Sequence, residues 1–398
     1  MLYNLNLYIL VIYVSFSLSI ALSDNEDKII ETELFNIGGS YMITIEFKGL
    51  FELKSERINL ELPYTLFSTI QFSEILKVIS HQTVVYKQQE IPVNEYKDHL
   101  VIQFPSDNGF DYHFYEFTQD FPYSYKEKGF GFANKIKNNK FSLVHQLKEK
   151  GYISHNQFGI QKYSDMKGAL FFGGLPQKAI DMYGHRGICN IDKRYPTWGC
   201  TMRKVVFNNN QTYANDEYAY LQSGDSEILA PENFILMLKD NILKDLVDLG
   251  LCIFHDLSDT EGSSYLECEC DNFPMEMKVE LYFGNYKYSF KMKDFIQKSR
   301  NNMCTFLITL NNRQKFTWVL GTSFLQYFAS DFDYESNRIS LYSDKMIEQV
   351  YFEKDPLLIA KIIKGGMIAS CFLCGIGILL FFIQRKMVEK YFMYSERE

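Results

Sequence analysis

Proline is scarce in this chain, 9 among 398 residues, and no low-complexity stretch interrupts it. That excludes a Pro-rich or Gly/Ser-rich linker between tethered modules. Positive charge is not in excess either: Lys+Arg number 41 against Asp+Glu 49, a net −8. A nucleic-acid partner calls for a basic face, so none is expected. The 7 histidines are scattered, no His-Glu-x-x-His occurs and no glycine-rich phosphate loop is found. No zinc-protease or nucleotide-binding site is read from such a pattern, and no cofactor is expected. Finally, there is no aspartate at all between Asp27 and Asp98.

Aromatic residues, in contrast, are plentiful: Phe 34 and Tyr 28, in a chain that is 46% apolar. Such a chain can bury a large core, and its aromatics suit pleated, half-buried surfaces. Two stretches lack charge altogether. No charged side chain precedes Asp24; Leu7 to Ile20 has the length of a signal-peptide core, and Ala21-Leu22-Ser23 offers a cleavage site. Residues 1–23 therefore read as a signal peptide, with a retained signal anchor as the alternative. Gly365 to Ile383 is 19 residues without a charge, followed by Gln384-Arg385-Lys386. That length spans about 30 Å of hydrocarbon at about 1.5 Å per residue. The basic residues after it place 384–398 in the cytoplasm. A single-pass type I membrane protein of the secretory pathway or cell surface follows, with its main part lumenal or extracellular.

Cys371 and Cys374 fall inside the span. The other six, Cys189, Cys200, Cys252, Cys268, Cys270 and Cys304, face an oxidising compartment and read as three disulfides among 15 possible pairings. A zinc site of Cys252, His255, Cys268 and Cys270 is the alternative, since the ligand types suit that metal. Asn210-Gln211-Thr212 is a glycosylation sequon in a polar, loop-like stretch.

Periodicity is mainly β. Tyr41 to Phe47 and Ile58 to Leu62 alternate, and further β-type runs follow at His99 to Phe104 and Asp111 to Phe117. Ser142 caps a predicted helix that Gly151 closes. The glycine-bounded run Gly168 to Gly174 predicts a buried strand. Ile188 to Thr201 reads as a loop stapled by Cys189 and Cys200, and Pro231 to Leu249 as one helix.

Several stretches in chain order resemble the pepsin-like aspartic peptidase family. They are Phe130-Gly131-Phe132-Ala133, then the helix and Ile153 to Phe158, then Gly168 to Gly174. Trp318-Val319-Leu320-Gly321 with Phe332-Asp333 and Arg338 to Leu341 completes the set, and Cys270 (or Cys268), Phe273-Pro274 and Cys304 resemble the family's disulfide loop. The resemblance implies a mainly β, bilobal pepsin-like acid-protease fold, with an N-terminal lobe over 33–180 and a C-terminal lobe over 181–350; the charge-free run adds one C-terminal transmembrane helix over 365–383. It also implies a cleft between lobes, to which each lobe gives an Asp-Thr/Ser-Gly turn. Two carboxylates close enough to share a proton have their pKa values driven apart, so one serves as base and the other as acid.

At the second-lobe turn stands Gln222-Ser223-Gly224, with Pro231 nine residues after Gln222 as the family spacing requires. Gln222 cannot exchange a proton at working pH. In the first lobe the turn is expected after Leu62, where Pro63-Tyr64-Thr65 stands. Pro63 and Gln222 thus read as vacated catalytic positions. Loss of one positioned acid–base group costs about 10²- to 10⁴-fold. Glu61 and Asp225 lie nearby and offer the alternative of an improvised dyad. Tyr86 reads as a strand aromatic, since Lys87-Gln88-Gln89 replaces the glycines of a flap. The expectation is a catalytically inactive, membrane-anchored protein whose cleft binds a protein or peptide; the alternative is a divergent, active aspartic endopeptidase.

Overall fold

The structure, a computed structural model, describes residues 28–37, 40–47, 52–60, 66–67, 79–86, 89–102, 110–117 and 130–133, and then 142–350 with short gaps at 193, 196, 209, 225, 256–263, 300–301, 312–315 and 345–346. The chain divides into one unit ending at Gln349 and a second from Val350 to Glu398. The stretches read as a signal peptide (1–23), a membrane span (365–383) and a cytoplasmic tail (384–398) all lie outside the described residues. Among the described residues no helix is long and apolar enough to cross a membrane.

Strands dominate, as the aromatic-rich alternation predicts. The largest sheet joins both halves of the first unit. Within it Gln157–Lys162 pairs with Ala329–Asp333, and each continues outward through a hairpin partner, Lys167–Phe172 and Arg338–Ser343. Beyond these lie Ile30–Ile37 on one side and His185–Asn190 on the other. The order is therefore symmetric for three strands on each side of the Gln157–Lys162/Ala329–Asp333 seam, and past Ile30–Ile37 only the first-half side continues. The run bounded by Gly168 and Gly174 is a strand buried at every position from Gly168 to Phe172. It is covered on both faces, which a continuous apolar run needs.

Gly173 and Gly174 leave this strand at φ +99° and +102°. A Cβ on Gly173 would stand 2.8 Å from the Lys28 carbonyl oxygen. Here positive φ and close backbone approach both require glycine. The division at residue 180 falls between the short helix Gln177–Ile180 and His185–Asn190.

The second half adds an eight-stranded sheet and a four-stranded one. Disulfides join Cys189 to Cys200, Cys252 to Cys268 and Cys270 to Cys304. The zinc alternative is excluded, because Cys252, Cys268 and Cys270 are oxidised and His255 Nε2 lies 3.1 Å from the Glu267 carboxylate. Cys189 and Cys200 sit on strands His185–Asn190 and Gly199–Phe207, so the stapled segment is strand at both ends.

Ser142 does cap the helix Leu143–Glu149, accepting from the His145 N–H. The predicted helix over 231–249 is instead broken into Glu232–Met237, a wide π turn Leu238–Ile242, and Lys244–Asp248. Leu238 and Leu243 are both buried, and the Leu243 N–H bonds back to the Leu238 carbonyl at 2.9 Å. Five residues of ordinary α-helix would swing Leu243 about 140° from Leu238. The π turn keeps both on the core.

Candidate functional site

The strand Gln211–Leu221 carries the chain to Gln222. It pairs in parallel with Thr317–Leu320, Leu221 opposite Leu320, and the Gln222 N–H continues that pairing to the Leu320 carbonyl at 3.0 Å. Gly321 follows, then the short helix Thr322–Leu325, whose Ser323 N–H reaches the Ser226 carbonyl. Ser223 is fully buried and Gln222 half-buried. Their turn is braced from the first half. The Tyr41 N–H donates to the Ser223 carbonyl at 3.2 Å, and the Ser40 hydroxyl donates to the Gly224 carbonyl at 3.1 Å. Sequence periodicity did not foresee this brace, since it joins residues more than 180 positions apart.

A reciprocal brace runs the other way. The indole of Trp198, in the second half, donates to the carbonyl of Phe132 in the first. Trp198 and Phe132 are fully buried, and the Trp198 carbonyl accepts the Leu221 N–H at 2.8 Å. Each half thus supports the motif of the other.

In the first half the strand Glu52–Asn59 ends three residues earlier than the alternation through Leu62 predicts. It pairs in parallel with Phe130–Gly131, Ile58 opposite Phe130 and Asn59 opposite Gly131. Leu60 already leaves the strand and is fully buried in the core. Pairing with Gly131 and burial of Leu60 end the strand where simple alternation would carry on. Pro63, Tyr64, Glu61 and Asp225 lie outside the described residues. Tyr86 ends the strand Ser80–Tyr86 and pairs with Gln89 of Gln89–Ile102 at a hairpin tip.

Aromatic rings lead up to Gln222. Tyr218, Tyr220 and Gln222 are two residues apart and share one face of the strand. Tyr195 stacks on Tyr218 with centroids 3.9 Å apart, and Tyr218 lies 6.1 Å from Tyr220. The Tyr218 hydroxyl is 2.8 Å from the Thr197 hydroxyl, which fixes the ring.

One acid with a strongly shifted pKa lies away from this site. Burial raises Asp331, on the shared sheet, to about 6, although the Leu175 N–H donates to it at 3.2 Å. Asn210, exposed in the turn before Gln211–Leu221, sits where a glycan can be attached. Among the described residues no group of His, Cys, Asp and Glu could hold a metal ion.

The family described as eukaryotic aspartyl protease matches residues 128–343, over half of the chain. Among solved structures, the aspartic proteinase from Irpex lacteus aligns with TM-score 0.59 at 13% identity. That alignment covers 80% of this chain and 98% of the fungal one. Identity so low speaks for the fold alone. No curated protein matches the sequence.

Proposed function

The chain belongs to the eukaryotic aspartyl protease family, and from that premise we propose that it is a pepsin-like pseudopeptidase, held at a membrane by 365–383, whose cleft binds a peptide or protein segment without cutting it. The observation that carries this reading is Gln222. The parallel pairing of Leu221 with Leu320, the buried Ser223 and the braces from Ser40 and Tyr41 support the turn on every side. At its leading position stands a carboxamide, which neither accepts nor releases a proton at working pH. The first half contains no aspartate from residue 28 to 97 that could supply the other acid. With no acid pair, water has no base and the leaving amine no acid from this source.

The deciding experiment is digestion of a broad peptide library by the purified chain at acid pH. No cleavage is expected. Pepstatin-sensitive turnover would refute the pseudopeptidase reading and favour a divergent endopeptidase; activity lost in Asp225→Ala would identify that residue as its acid.

A further inference from the structure

We propose that the first-half counterpart of Gln222 is Asn59 rather than Pro63, so that both vacated positions are held by residues of a type that exchanges no proton at working pH. This placement deepens the reading given above but does not rest on it.

The placement follows from two independent registers. In the second half, Leu221 pairs in parallel with Leu320, the residue before Gly321, and Gln222 comes next in the chain. In the first half, Ile58 pairs in parallel with Phe130, the residue before Gly131, and Asn59 comes next. The same step therefore leads to Asn59 and to Gln222. The residues after them agree, since Leu60 and Ser223 are both fully buried.

A second register brings the two together. Strands Ser40–Phe47 and Glu52–Asn59 pair antiparallel with Met42 opposite Arg57. Carried on by two residues, that register sets Ser40 across from Asn59. Ser40 is the residue whose hydroxyl bonds to the Gly224 carbonyl, two residues beyond Gln222. The end of the first-half strand is thus one strand spacing from a residue that grips the second-half turn, and strands lie about 4.8 Å apart. Pro63 is four residues further along the chain from Asn59.

The test uses the purified full chain. Gln222→p-benzoylphenylalanine is irradiated and the cross-linked peptides are mapped by mass spectrometry. Cross-links to residues 59–61 are expected; cross-links to 63–65, or none to the first half, would overturn the pairing. Asn59→p-benzoylphenylalanine, with cross-links sought at 222–224, guards against a misfolded first variant. Acid proteolysis in the library digestion would refute the reading given above, while the cross-links alone decide the pairing.

Discussion

The ring of Phe158 lies flat on the ring of Phe332, centroids 4.5 Å apart and planes 5° from parallel. The two residues are also direct partners across the seam of the shared sheet, one from each half of the chain. Trp198 stands edge-on to both rings, at 5.8 Å and 5.2 Å. All three are fully buried. This aromatic knot makes the packing of the two halves one cooperative event.

Phe332→Ala would empty the centre of that knot. A loss of about 3–5 kcal/mol is expected, as for other buried Phe→Ala changes. Chemical denaturation read by Trp fluorescence checks it. A loss under about 1 kcal/mol would show that the halves do not depend on the seam.

Glu217 is a buried carboxylate held by neutral donors. It accepts from the Trp318 indole at 2.8 Å and from the Tyr213 hydroxyl and Asn215 amide, each at 2.7 Å. Burial and Glu217 together push the Tyr213 phenol pKa upward. Glu217→Ala strands the indole N–H and is expected to cost about 2–4 kcal/mol. Glu217→Gln, which keeps an acceptor, is expected to cost less. Equal losses in the two variants would remove the hydrogen bonds from the explanation.

His145 ties acid sensitivity to the capped helix. Burial, with help from the nearby Lys148 charge, lowers its pKa from 6.5 to about 4. Its Nε2 lies 2.8 Å from the Asn156 amide, a donor that favours the neutral ring. Between those two values the unfolded chain binds the proton and the folded one does not, so stability falls as pH falls from 6.5 toward 4. The loss is on the order of 1 kcal/mol, since partial exposure screens the charge. Melting temperatures of His145→Gln from pH 4 to 7 are expected to show a shallower acid decline than those of the wild type. Parallel curves would sink the assignment.

Asp331 has the opposite sign. Its folded pKa is raised from 3.8 to about 6, so the folded state holds a proton that the unfolded chain has released. Stability from this group is present below 3.8 and is lost as pH rises through 6. Asp331→Asn keeps an oxygen for the Leu175 N–H and is expected to gain about 2 kcal/mol over the wild type at pH 7.5. At pH 3.5 the gain should vanish. A gain that does not change with pH would point to packing.

Much of the scaffold was legible in the residues. Phe130 to Ala133, Gly168 to Gly174 and Trp318 to Gly321 stand where the fold needs close packing of backbone against backbone. The cap at Ser142 was legible because N-capping is local chemistry. The helix over 231–249 was misread as continuous, because periodicity does not reveal that Leu238 and Leu243 must share one face. Nothing local in the sequence singles out Glu217; the arrival of Trp318 from 101 residues away makes it a buried acceptor.

The sequence by itself determined the β-rich core, the supply of six cysteines outside the predicted span, and the carboxamide at position 222, because these depend on composition and short-range pattern. Which cysteines pair, where the first-half strand ends and what braces the second-half turn were decided only by tertiary structure. Those outcomes turn on strand register, and a register is set jointly by segments far apart in the chain, so no local stretch contains it.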